Sequence, residues 1–170
     1  MNAISIAAHS FSTPTLRDAM RLAAGGVAVL TAGEGDERAG MTVTSAASLS
    51  VDPPAMIVCV NRDASALPVI SRRRHFCVNL LAADQEGVAD RFAGRGGVNG
   101  AARYQGSRWR RLATGALALE GALASIDCQL EELIERHSHV IVIGAVRAIA
   151  TRPGEPLVYN QGVYRGLASR

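Results

Sequence analysis

The chain has 170 residues, is 48% hydrophobic and carries a formal charge of +3, and all 18 of its basic residues are arginine. That length predicts a single domain with room for a substantial core. The absence of lysine excludes a lysine Schiff base and a Walker-type phosphate loop, so any phosphate must be met by arginine, hydroxyls or backbone N–H groups.

In chain order, residues 1–13 lack the basic start and long apolar run of a signal peptide and are expected to be a flexible segment of a cytoplasmic protein. Residues 14–170 are expected to form the one domain. Ser12 or Thr13 can cap a helix that Pro14 begins, with Leu16 and Met20 at helical spacing and Gly25-Gly26 as its stop. "VAVLTA" (27–32) reads as a strand, "GEGDERAG" (33–40) as a turn, and residues 41–46 as the returning partner. "AMIVCV" (55–60) is a strand. Residues 65–73 are a short helix with Ser65 at its cap, and "HFCVNLL" (75–81) is the next strand. Residues 83–94 form an amphipathic helix with Val88 and Phe92 on one face. Residues 94–109 are irregular, 116–133 and 139–150 are β-rich, and 156–164 is a hairpin. Strands in succession, without a regular alternation of strand and helix, predict a mostly antiparallel, closed or nearly closed barrel with a few flanking helices.

Most candidate motifs have plain structural readings. "GRGGVNG" (94–100) has Asn99 where a dinucleotide fingerprint wants a third Gly or Ala, and it follows no strand. Arg72-Arg73-Arg74 suits the end of a helix dipole. His137 and His139 would share a face of a strand, but the sequence supplies no further ligands, and no metal is expected. Cys59, Cys77 and Cys128 are expected to be reduced thiols. Aromatic residues make up 4% of the chain, too few for nucleic-acid stacking platforms. No run approaches the roughly 20 apolar residues of a membrane span. One stretch stands out: "GMTVTSAASLSVDPP" (40–54) has many hydroxyls and few large side chains. Such a strand lets a flat ligand approach the backbone and offers donors to a polar edge; equally, threonine simply favours sheet.

The same stretch carries a family resemblance. Gly40-x-Thr42, Ser45, Ser48 and Asp52-Pro53-Pro54 resemble the signature of the short-chain flavin reductases. Matching segments follow in order: "LRDAM" (16–20), "VCVNRDASALPV" (58–69), "FCVNLL" (76–81), "DRFAG" (90–94), Trp109, "ALASIDC" (122–128), His139-Val140 and "PLVYNQGVY" (156–164). Within the family the chain is similar to the reductases of the pyrimidine-degradation and 4-hydroxyphenylacetate 3-monooxygenase systems.

The resemblance implies an FMN-binding split β-barrel, antiparallel and Greek-key-like, acting as a homodimer. It implies FMN, with FAD possible, and NADH or NADPH as co-substrate. It also implies a separate flavin-dependent monooxygenase as recipient of reduced flavin, with no nucleic-acid or membrane partner. By position, Thr42, Thr44, Ser45 and Ser48 would contact flavin, with Ala46 and Ala47 between them keeping the strand small. Asn61 and Ser65 would serve the ribityl or phosphate, and Phe76, Cys77 and Asn79 would contribute from the adjacent strand. His139 would contact the nicotinamide, although the family's Gly-Asp-His is here His137-Ser138-His139. Tyr164 takes the family's late aromatic position. A flavin oxidase or carrier on the same fold without NADH turnover is the alternative reading, and a nucleic-acid-binding barrel a remote one.

Overall fold

The structure, a computed structural model, describes residues 13–167; the expected cap at Ser12 and residues 1–12 of the expected flexible segment lie outside the described residues. The elements in order are α1 (Leu16–Arg21), β1 (Gly25–Gly26), β2 (Ala28–Ala32), β3 (Ala39–Val43), β4 (Ala46–Val51), β5 (Pro54–Asn61), α2 (Ala66–Arg73), β6 (His75–Leu80), α3 (Glu86–Phe92), β7 (Trp109–Arg111), β8 (Leu117–Leu119), β9 (Ala124–Arg136), β10 (His139–Thr151), β11 (Val158–Asn160) and β12 (Val163–Arg165). The fold is mostly β and its strand pairings are antiparallel, as expected.

The helix α1 starts two residues later than the sequence reading placed it. Thr15, not Thr13, is the cap, and Thr-x-x-Asp forms a capping box in which the Asp18 carboxylate accepts the Thr15 backbone N–H at 2.8 Å. Gly25-Gly26 is not merely a stop: it forms a two-residue strand against Val158 and Tyr159 of β11.

Seven strands form the main sheet in the order β3-β2-β6-β9-β10-β5-β4. The sequential strands β3 and β4 are therefore its two opposite edges. Only Thr44 and Ser45 separate them, and three peptide steps span at most about 11 Å, so the sheet must curl until its edges meet at that end. No ladder joins β3 to β4 among the described residues. The barrel is split at this seam, which corrects the closed version of the expectation. The expected partner strand 41–46 likewise divides: residues through Val43 pair with β2, and residues from Ala46 pair with β5.

Period-two alternation sorts the core. On β2, Ala28, Leu30 and Ala32 face the barrel interior with Val58, Val60, Phe76, Val78, Val140 and Val142, while Val29 faces a second layer with Val88, Phe92, Tyr104 and Leu157. A strand covered on both faces reads as an unbroken apolar run. The irregular 95–108 segment is anchored in that second layer. Phe92 and Tyr104 meet edge to face at 5.0 Å, and the Arg103 guanidinium donates to the Gly40 carbonyl at 2.9 Å. Gly40 is obligatory here, because a Cβ would stand 2.6 Å from the Phe92 ring and 2.7 Å from the Leu30 carbonyl oxygen.

Candidate functional site

The seam between β3 and β4 is where the sheet has unpaired edges, and Thr44 sits on it with an exposed side chain. Three adjoining clefts converge on this residue. One, of about 180 Å³, is apolar: Val27, Ala46, Leu80, Leu81, Leu123 and Leu157 line it with Thr44. The second, about 210 Å³, adds Thr42, Arg95, Tyr159 and Tyr164. The third, about 390 Å³, lies under α1 and is lined by Arg17, Met20, Arg21, Gly25 and Tyr159. Gly25 keeps this region open, since a Cβ there would stand 3.0 Å from the Thr44 Cβ.

The aromatic wall is fixed by the C-terminal hairpin. Tyr159 and Tyr164 are cross-strand partners with ring centroids 5.3 Å apart. Arg95 lies over the Tyr164 ring at 5.4 Å and pairs with Asp90 at 2.9 Å. Burial pushes the Tyr164 phenol above its ordinary range, and the Asp90 carboxylate adds to the rise. Tyr164 is therefore a neutral hydroxyl at neutral pH.

The residues singled out from the sequence separate into three groups. Thr42, Thr44, Ala46 and Tyr164 line the clefts. The Thr42 hydroxyl, however, donates to the Ala89 carbonyl at 2.6 Å, tying β3 to α3. Ser45, Ala47, Ser48, Asn61, Ser65 and His139 are exposed around the seam and the outer face of β4, β5 and β10. Ser45 donates to the Cys59 carbonyl at 2.8 Å, and Asn61 lies opposite His139 in register. Asn61 closes a turn by accepting the Asp63 N–H at 2.8 Å, and the His139 Nδ1 is 2.9 Å from the Ser138 hydroxyl. Ser65 holds the cap position of α2 but makes no capping bond. His139 is not among the residues lining the clefts around Thr44.

The third group is internal. Phe76, Cys77 and Asn79 are fully buried on β6 and line none of the clefts around Thr44. Phe76 packs against Gly144, where a Cβ would stand 2.6 Å from its ring. Asn79 is a polar junction. Its amide donates to the Val29 carbonyl at 3.1 Å and the Thr31 hydroxyl at 3.3 Å, and its oxygen accepts from the Leu119 N–H and the Ser125 hydroxyl at 2.8 Å each. Every capacity of that side chain is taken. Of the three cysteines expected to be reduced, all are free, but Cys59 is exposed.

Sequence reading missed Arg17, Arg21, Arg95 and Tyr159. The signal for the first pair was present: arginines four apart on a helix project from one face.

The seam of the split antiparallel barrel thus offers an apolar compartment that can take a flat ring, beside basic and aromatic clefts that can meet a charged tail. Residues 20–168 match the flavin reductase like domain model, and the chain belongs to that family. It is 41% identical over 165 residues to "FMN reductase (NADH) RutF 2" of Methylorubrum extorquens, covering 96% of this chain and 95% of the relative. Among solved structures it resembles BorF, the flavin reductase component of a bacterial two-component tryptophan halogenase, with TM-score 0.82 and 36% identity over 91% of this chain and 98% of that one. It also resembles the Streptomyces globisporus NADH:FAD oxidoreductase SgcE6 in complex with NAD and FAD fragments, with TM-score 0.81 and 31% identity over 90% and 91% of the two chains.

Proposed function

We propose that this protein is an NADH:flavin oxidoreductase, converting NADH, a proton and FMN to NAD⁺ and reduced FMN. The observation that carries the reading is the convergence of an apolar compartment and two arginine-bearing clefts on one small, hydroxylated residue, Thr44. These residues fit a flavin. Ala46 and the surrounding aliphatic side chains accept the edge of a flat ring, while Thr44 and the backbone N–H groups of the seam donate to its polar edge. Bound flavin supplies the hydride acceptor. The chain's part is to hold two rings in contact and exclude water, which requires no nucleophile and no acid–base pair. Asn61 and Ser65 would meet the flavin's ribityl or phosphate beyond the seam, and His139, opposite Asn61 in register, would contact the nicotinamide. FAD is the second flavin in this reading, and NADPH the second donor.

The relationship to a two-component halogenase reductase supports a separate flavin-dependent monooxygenase as recipient of the product. A homodimer is supported by the outer face of β4, β5 and β10. Ile57, Cys59, Ile141 and Ile143 share that face, and Val51 beside it is 85% exposed. Among the described residues no helix is long and apolar enough to cross a membrane, and a cytoplasmic setting, where NADH is produced, suits the reading.

The test is anaerobic. Purified protein mixed with FMN and excess NADH is expected to bleach the flavin's visible absorbance far faster than the protein-free mixture. Retained flavin that neither NADH nor NADPH bleaches would replace this reading with the oxidase or carrier.

A further inference from the structure

We propose that Arg17 and Arg21 form a clamp for the diphosphate of the pyridine nucleotide, so that α1 is the donor-binding element of the site. The inference rests on the reading of the seam as a flavin-reducing site and adds to it where the second nucleotide lies.

The two arginines stand four residues apart on α1 and line the same cleft as Thr44 and Tyr159. Among the described residues neither has a carboxylate within 4 Å. The nearby acid on the helix, Asp18, is engaged by the backbone N–H and hydroxyl of Thr15 at 2.8 and 2.7 Å. The third arginine of the region, Arg95, is paired with Asp90. Arg17 and Arg21 are thus the cations of the seam left for an anion, and guanidinium groups match phosphate oxygens in pairs.

The helix is held in place for this role although it buries nothing. No residue of α1 is buried, and Leu16 and Met20 are 78% and 61% exposed. Its end is fastened to the C-terminal hairpin instead. The Arg21 carbonyl accepts from the Gln161 N–H at 3.0 Å, and the Leu22 carbonyl accepts from the Asn160 amide at 3.1 Å. A helix with no core contacts but two tethers beside a cleft is positioned by the cleft's requirements rather than by packing.

Direction distinguishes the two nucleotides. Hydride transfer needs the two rings stacked, and two polyanionic tails repel if they leave the stack on the same side. Asn61 and Ser65, the end assigned to the flavin's tail, line none of the clefts that meet at Thr44. The α1 cleft is a separate recess that shares Thr44 and runs along Gly25 and Tyr159 to the two arginines. The tail that reaches the arginines is therefore the donor's.

The experiment compares the wild type with Arg17→Ala/Arg21→Ala, which removes no core contact. Three quantities are read: NAD⁺ affinity by calorimetry on the FMN-loaded protein, FMN affinity by fluorescence titration, and turnover with NADH or with the phosphate-free donor 1-benzyl-1,4-dihydronicotinamide. The clamp predicts that NAD⁺ affinity falls and the KM for NADH rises by about tenfold or more, while FMN affinity and turnover with the phosphate-free donor stay within about twofold. Unchanged NAD⁺ affinity overturns the proposal. So does a fall in FMN affinity without a change in the KM for NADH, which would assign the arginines to the flavin's phosphate. A wild type that binds NAD⁺ through these arginines yet reduces no flavin would uphold the clamp and refute the flavin-reductase reading, so the two fail separately.

Discussion

Asn79, inside the barrel on β6, and Thr44, on its seam between β3 and β4, are both small polar residues in stretches that carry the family's motifs. The interior amide is fully buried with four hydrogen-bond partners from β2, β8 and β9. The seam hydroxyl is exposed and borders three clefts. Hydrogen-bond accounting separates them: a polar group whose capacities are all met inside the protein holds the fold, and one that faces a cleft is available to a ligand.

The sharpest way to break this contrast is to exchange the effects of the two sites. Asn79→Leu leaves the Leu119 N–H and the Ser125 hydroxyl without their acceptor in the core and is expected to cost about 3 kcal/mol or more in denaturant unfolding. Thr44→Phe fills the shared wall of the clefts. It is expected to weaken FMN binding by roughly thirtyfold, about 2 kcal/mol, with the unfolding midpoint little changed. If Thr44→Phe instead unfolded the protein and left FMN affinity intact, the assignment of roles would be reversed.

The interior also has an alkaline pH signature of its own. Burial pushes the Cys128 thiol up to about 12, from an ordinary value of 9.0, and the Cys77 thiol well above its ordinary value, with the Asp127 carboxylate adding to both. Above the ordinary value the unfolded chain releases these protons while the folded chain keeps them. Stability therefore falls as pH rises through about 9 and upward, by about 1.4 kcal/mol per pH unit for each thiol. Replacing Cys128 with alanine should flatten that alkaline slope in unfolding measured at pH 8 and pH 10, whatever it does to stability at pH 8. The smallest effect belongs to a residue between the two classes. Thr42 lines a cleft, yet its hydroxyl serves Ala89. Thr42→Val is expected to cost about 1 kcal/mol of stability and to change FMN affinity less than Thr44→Phe does.

The strands β5, β6 and β10 were legible because each is a sustained apolar run, and α2 because its cap position and length are ordinary. The division of residues 42–50 between two sheet edges was not. Alternation reveals that residues are extended, but which strand they pair with is decided by how the sheet curls. The capping box at Thr15–Asp18 was legible and overlooked, since Thr13-Pro14 offered an equally good local start. For Asn79, the run "FCVNLL" itself held the sign of burial. A strand apolar on both faces is covered on both faces, so an amide within it must find partners inside. The site's arginines escaped because a pair four apart on an exposed helix has an ordinary solvated reading until a cleft is seen beneath it.

The central claim is that the seam at Thr44 is where this protein reduces flavin. The most direct measurement is the FMN-dependent loss of the near-ultraviolet absorbance of NADH in air, followed for the wild type and for Thr44→Phe over a range of FMN concentrations. The account predicts rapid FMN-dependent oxidation by the wild type and a curve shifted to much higher FMN for the variant at equal folded concentration. Superimposable curves for the two proteins, or no FMN-dependent oxidation by the wild type, would contradict it.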